Sequence, residues 1–174
     1  MQPRPWVAAP SQPILRAARL VLEPLAAEHT AEMVGVLSCP TLYAVTGGSP
    51  PSLVELTARY VRQVAGPDHP GERWCNWVLR EGSALVGYVQ ATVTVGPGPG
   101  ADTAAVAWLV RPQDQGRGLA TEAAAAMVAH LQALGVGDVT AWIADTHPAS
   151  QAVARRLGLA PSGQLDEDGE RLWR

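Results

Sequence analysis

The stretch Val110-Arg111-Pro112-Gln113-Asp114-Gln115-Gly116-Arg117-Gly118-Leu119-Ala120-Thr121 decides how this chain is read. An apolar run, Ala104 to Val110, precedes it and reads as a strand. A helical run, Leu119 to Leu134, follows it, with Leu119, Ala123, Met127, Leu131 and Leu134 on one face and Gly135 as its stop. The order is strand, glycine-containing loop, helix N-terminus. The first turn of a helix leaves its N–H groups without internal partners, and the aligned peptide dipoles add partial positive charge there. An anion fits such a spot, and glycine at 116 and 118 lets it come close to the backbone. A P-loop would need a Gly-Lys-Ser/Thr ending, which is absent. A dinucleotide fingerprint would need three glycines directly after the strand. Here Thr121 takes the third place and Pro112 lies in a five-residue gap before Gly116.

Working outward, Arg19 to Leu22 reads as a first strand stopped by Pro24, and Ala26 to Leu37 as a helix ended by Ser38-Cys39-Pro40. Ser52 is an N-cap for a helix to Val64, with Glu55 at capping-box spacing. This helix pair is expected to overhang one edge of the sheet. Trp74 to Leu79 and Ala84 to Val95 are β-rich runs joined by the short connection Glu81-Gly82-Ser83. With Ala104 to Val110 they make an antiparallel meander. Val139 to Ile143 is then a strand parallel to its predecessor across the helix between them. Pro148 to Leu157 is a last helix, stopped at Gly158, and Leu159 to Gln164 and Glu170 to Trp173 are closing strands. Residues 1–13, with prolines at 3, 5, 10 and 13, read as a flexible tail, and residues 14–174 as one domain.

Two segments carry a resemblance. Gln115-x-x-Gly118-x-Ala120, in its strand–helix setting, is similar to the acyl-CoA pyrophosphate loop of the GNAT superfamily of N-acetyltransferases. The segment from His147 to Leu159 resembles that family's Asn-x-x-Ser, helix, Leu-Gly-Phe sequence. The opening, Ile14 to Leu25, resembles the branch that acetylates ribosomal-protein N-termini (RimJ/RimL-like). There are departures. His147 stands for the asparagine, and Leu159 for the phenylalanine in a chain with no phenylalanine. Ala154 stands where many members carry a tyrosine general acid.

The resemblance implies an α/β (α+β) fold of the GNAT acyl-CoA N-acyltransferase type: a mixed, mostly antiparallel sheet, helices on both faces, and a splayed parallel strand pair. It implies acetyl-CoA as acetyl donor. The pantetheine arm would lie along Trp108, Leu109 and Val110. The pyrophosphate would sit on the N–H groups of Gln115, Gly116, Arg117, Gly118, Leu119, Ala120 and Thr121, with His147 and Ser150 also near the cofactor. The implied reaction is transfer to a primary amine, on a protein or peptide N-terminus or a small molecule, by direct attack. A non-catalytic acyl-CoA-binding module is the rival reading, and a dinucleotide oxidoreductase a distant one.

For the chemistry, Ser150 is the candidate general acid for the leaving thiolate; its bland role is a helix cap. His147 either contacts the cofactor or caps. Arg111 and Arg117 are candidates for phosphate pairing. No base stands out: Glu167 and Glu170 lie near the substrate side if the closing strands run as in the family, and Glu72 and Asp145 are no better placed. Trp77, Trp108 and Trp142 read as core or wedge wall, and Tyr43 and Trp74 fall in segments that line the acceptor cleft in similar proteins.

Composition narrows the partners. A net charge of −3 argues against a nucleic-acid surface. Cys39 and Cys75 are in no redox or metal spacing, the four histidines are scattered, and no metal site is suggested. No apolar run reaches the length of a membrane span. A cytoplasmic protein is expected, with room for a homodimer.

Overall fold

A computed structural model describes residues 12–45 and 47–174. The strands are β1 (Leu15–Arg16), β2 (Val21–Pro24), β3 (Glu72–Glu81), β4 (Ala84–Thr94), β5 (Asp102–Val110), β6 (Val136–Ala144), β7 (Pro161–Leu165) and β8 (Glu170–Trp173). The helices are α1 (Thr30–Val36), α2 (Leu53–Ala65), α3 (Leu119–Ala133) and α4 (Pro148–Arg156). One sheet holds the strands in the order β1-β2-β3-β4-β5-β6-β8-β7, and β5–β6 is its parallel pair. The mixed, mostly antiparallel sheet expected from the sequence is thus present. No helix among the described residues is long and apolar enough to cross a membrane.

Each sheet face has its own core. On one face α3 buries Leu119, Ala123, Met127 and Leu131 against β4, β5 and β6, with Trp77 and Trp173 in the same cluster. On the other face Met33, Val36 and Leu37 with Leu56 and Tyr60 of α2 pack on Val78, Leu85, Tyr88 and Leu109. The α1–α2 pair therefore covers a face rather than overhanging an edge, because both helices present apolar stripes that need the sheet.

Local chemistry explains most boundaries. Ser52 and Glu55 form the expected capping box, with the Glu55 N–H donating to Ser52 Oγ at 3.3 Å and the Ser52 N–H donating to the Glu55 carboxylate at 2.8 Å. Gly82 turns the β3–β4 hairpin at φ +59°. The expected helix from Ala26 starts as a tight 3-10 turn, Ala27–His29, whose His29 Nδ1 accepts the Ala26 N–H. The strand expected from Arg19 begins at Val21 as β2, because the Arg19 N–H is taken by the Glu122 carboxylate. Most of the expected tail, residues 1–11, lies outside the described residues. Gln12 and Pro13 are anchored: Gln12 bonds the Trp74 carbonyl and the Asn76 N–H, and Trp77 Nε1 donates to the Pro13 carbonyl.

Gly87 sits on β4 opposite Val110, where a Cβ would lie 2.0 Å from the Leu109 carbonyl oxygen. A side chain there would push the end of β5 away. We expect Gly87→Ala to cost roughly 1–3 kcal/mol, as overpacking does, which is about 2–4 °C of melting temperature per kcal/mol at this size. Gly35→Ala, on the exposed side of α1 with open space around it, should instead raise stability slightly, by up to about 1 kcal/mol. Thermal unfolding of both variants is the check.

Candidate active site

The site begins where β5 and β6 part. Their pairing runs from Asp102↔Val136 to Ala105↔Thr140 and stops. Beyond that, β6 turns to a new partner, and Ala141 to Ala144 pair with β8. The last part of β5 stays fastened to β4 as far as Val110↔Gly87. The Arg111 N–H donates to the Val86 carbonyl at 2.9 Å, which fixes the alternation along β5. Odd-numbered residues, Leu109 included, bond β4. The peptide groups of Val106, Trp108 and Val110 face the gap. A wedge lined by unused N–H and C=O groups is what an extended, amide-bearing ligand can complete as if it were a strand.

The loop at the mouth of the wedge is set by its own side chains. Gln115 Nε2 donates to the Val110 carbonyl at 2.8 Å, and the Gln115 N–H bonds the Pro112 carbonyl at 3.2 Å. The Gln115 N–H is therefore spent inside the loop. Gly116 and Gly118 take φ +73° and +79°, and Gly118 is the N-cap of α3. Among the described residues the N–H groups of Gly118, Leu119, Ala120 and Thr121 have no internal acceptor, and they point along the helix axis toward the mouth. Bare N–H groups at a helix start are what an anion can bind.

The arginines near it are already partnered. Asp114, 9% exposed, bonds both Arg111 and Arg117. Arg117 also makes a two-pronged contact with Glu81 at 2.7 and 2.8 Å. So Arg111 and Arg117, expected as phosphate partners, spend their side chains on carboxylates. A third arginine was invisible to the sequence reading. Arg19 bonds Glu122 through its N–H at 2.6 Å and its Nε at 2.8 Å, and its Nη1 donates to the Arg117 carbonyl at 2.9 Å. Burial works against the charge on Glu122, yet the Arg19 bonds outweigh it and hold the carboxyl below its usual range. These partners lie 103 residues apart, so no local pattern announces them.

The second segment stands across the wedge. His147 is the N-cap of α4: its Nδ1 accepts the Ser150 N–H at 3.2 Å. Ser150 is thus the third residue of the helix rather than its cap, and its Oγ lies 3.5 Å from His147 Nε2. Ala154 is fully buried in the core, so the position of the family's tyrosine offers no proton donor.

Among the acids, Asp145 is held by Arg171 at 2.7 and 2.8 Å, and that bond keeps its carboxyl below the usual range. Glu72 pairs with Thr94 at the far end of the sheet from the wedge. Glu167 is an exposed turn residue. Glu170 differs. It is half-buried opposite Ala144, at the end of β6 that borders the wedge. Burial, then Asp166 and Asp168, push its carboxyl above the usual range, with His147 pulling the other way. Trp77 is core, Trp108 and Trp142 are half-buried, Tyr43 donates to the Leu37 carbonyl, and Trp74 lines a separate cleft along the β3 edge. No group of three or more His, Cys, Asp or Glu side chains is placed to hold a metal among the described residues.

A sheet opened at one parallel pair, with a helix N-terminus at its mouth, is the arrangement that the GNAT resemblance implies. A family profile described as an acetyltransferase (GNAT) domain matches residues 19–160, and the chain belongs to that family. A sequence search of curated proteins returns no significant match. Solved structures share the fold. An acetyltransferase from Thermus thermophilus superposes with a TM-score of 0.72 at 22% identity, over 91% of this chain and 97% of that one. RimL, a ribosomal L7/L12 α-N-protein acetyltransferase in complex with coenzyme A, gives 0.75 at 14% identity, over 92% and 96%. The microcin C7 self-immunity acetyltransferase MccE, in complex with acetyl-CoA and AMP, gives 0.73 at 12%, over 90% and 91%.

The cap assignment has a direct consequence. His147→Ala should cost about 1 kcal/mol, the usual value of an N-cap, and lower the melting temperature by roughly 2–4 °C. His147→Asn, which can still accept the Ser150 N–H, should keep the wild-type value.

Proposed function

We propose that the protein transfers the acetyl group of acetyl-CoA to a primary amine by direct attack on the thioester. The observation that carries this reading is the open β5 edge leading to the bare N–H groups at the start of α3. The pantetheine amides would complete the Val106 carbonyl and the peptide groups of Trp108, leaving the Val110 N–H for the thioester, and the pyrophosphate would rest on Gly118, Leu119, Ala120 and Thr121, with Gly116 and the Arg117 backbone shaping the approach. His147 and Ser150 would flank the thioester end.

The amine nitrogen attacks the thioester carbonyl carbon, and the carbonyl oxygen takes up negative charge. The Val110 N–H, facing the wedge, is the donor for that oxygen. Collapse of the intermediate breaks the C–S bond, the nitrogen gives up its second proton to solvent, and the coenzyme thiolate takes a proton from solvent or through the Ser150 hydroxyl, which solvent then reprotonates. A thiol of pKa roughly 8.5 needs little help to leave. The attacking ammonium must first lose a proton, and Glu170 is the acceptor: half-buried, at the wedge, with a carboxyl raised toward the operating pH. Both cysteines are free, in keeping with a reducing compartment. The burial of Ala154 favours one other reading, a binding module without turnover, because the usual acid is missing.

Acetyl-CoA at about 100 times its dissociation constant should add roughly 2.7 kcal/mol, or roughly 5–10 °C of melting temperature, with NADH giving nothing. Gly118→Ala adds left-handed backbone strain alone, and Gly118→Glu adds bulk and charge as well. Both should lower the melting temperature of the free protein similarly, and the glutamate should abolish the rise with acetyl-CoA. An unchanged rise in Gly118→Glu would remove the loop from the site. Glu170→Gln should lower kcat by roughly 10²–10⁴-fold, the usual range for a general base. The acidic limb of the wild-type rate profile should lie above the ordinary glutamate range and vanish in this variant. Binding of acetyl-CoA without thiol release for any amine would favour the non-catalytic module.

A further inference from the structure

Between α2 and the sheet, on the face opposite α3, lies a cavity of about 60 Å³. Its polar lining is Arg59, Tyr60 and Gln63 from α2, Asn76 from β3, and Tyr88 and Gln90 from β4. Asn76 is 9% exposed, yet its side-chain amide has no hydrogen-bond partner among the described residues. The Gln63 and Gln90 amides and the Tyr60 and Tyr88 hydroxyls likewise have none among those residues. Convergent polar groups in a small cavity favour a ligand that hydrogen-bonds to them. Asn76 and Tyr60 are buried and Gln63, Tyr88 and Gln90 half-buried, so five polar side chains converge on one small space that a polar ligand can complete.

The register ties this space to the wedge. Asn76 pairs with Gln90 and Gln90 with Ala107, while Tyr88 pairs with Leu109. Ala107 and Leu109 flank Trp108, whose peptide groups face the wedge. The cavity floor is therefore one strand, roughly 5 Å, from β5. No acid lines the cavity, and no carboxylate lies within ion-pair distance of Arg59 among the described residues. A polycationic amine finds no counter-charge there. A single planar guanidinium with neutral amides and hydroxyls around it matches one carboxylate, whereas a phosphate dianion would leave charge uncompensated.

We infer that the acceptor is an amine carrying a carboxylate, which this cavity seats on Arg59 and the amides of Asn76 and Gln90 while the nitrogen reaches the wedge. The inference rests on the acetyl-transfer reading for the role of the nitrogen, but not for the carboxylate. A ligand seated there must hydrogen-bond these groups, which a carboxylate does and an alkyl end does not.

The test uses ω-amino carboxylates from glycine to 6-aminohexanoate, each beside its carboxamide and its plain alkylamine, with thiol release as the readout. A second arm compares peptide amides beginning Gly-Asp and Gly-Asn, which separates a side-chain carboxylate in a peptide from a free amino acid. At least one carboxylate should exceed its carboxamide by about tenfold or more in kcat/KM, the value of a charge-assisted bond. Arg59→Gln should bring the pair within about twofold. Arg62→Gln, on the same helix outside the cavity, should keep the preference. Equal use of carboxamides and alkylamines, or a preference undiminished in Arg59→Gln, would overturn the inference and leave the acetyl-transfer reading standing. If no amine is acetylated, saturable stabilisation of the free protein by a carboxylate, lost in Arg59→Gln, still supports the site. Its absence overturns the site.

Discussion

β6 changes partner halfway along its length, and the rest of the molecule depends on that change. Its first half completes a parallel ladder with β5, and its second half completes an antiparallel one with β8. A strand that leaves one neighbour without finding another would abandon its peptide groups, so the departure from β5 needs β8 in place. β5 in turn has to remain straight without its parallel neighbour. It does so because β4 grips it to its end, and because Gly87 leaves room for the close approach there. The opening is thus held from both sides by hydrogen bonds made elsewhere.

The mouth of that opening is nearly neutral in side-chain charge. Arg19, Arg111 and Arg117 stand beside Glu81, Asp114 and Glu122. What remains to attract an anion is the backbone: bare N–H groups and the helix dipole. Such groups lie fixed before the ligand arrives. The carboxylates act as a frame, with Arg19 fastening the start of α3 to the beginning of the sheet.

Much of this was legible in the sequence, for physical reasons. The 110–121 stretch is local: strand periodicity, glycine, then helix periodicity sit within a dozen residues, and the loop, helix and parallel crossover follow from them. The Ser52–Glu55 box and the Gly82 turn are equally local. What escaped is what the fold alone brings together. β1 has two residues, too few for any periodicity. Arg117 reads as a free cation until Glu81 meets it from the β3–β4 hairpin. Gln115 reads as an N–H donor to an anion until its N–H bonds the Pro112 carbonyl. Asn76, Gln90 and Arg59 come from three elements, and nothing in any one of them marks a shared cavity. The base was not readable either, since Glu170 becomes distinct from Glu167 only through the burial that β6–β8 pairing imposes.

The bond from Gln115 to the Val110 carbonyl gives the open edge a polarity. Along the gap the unused groups run from the Val106 carbonyl, through the N–H and carbonyl of Trp108, to the Val110 N–H, and there the acceptors end. The row therefore ends on a lone donor, because the Gln115 side chain closes its last acceptor. An extended amide chain laid along it would find a donor and an acceptor at Trp108 and a donor alone at Val110. The last rung of the edge can only donate, and that asymmetry is made by one side chain, Gln115.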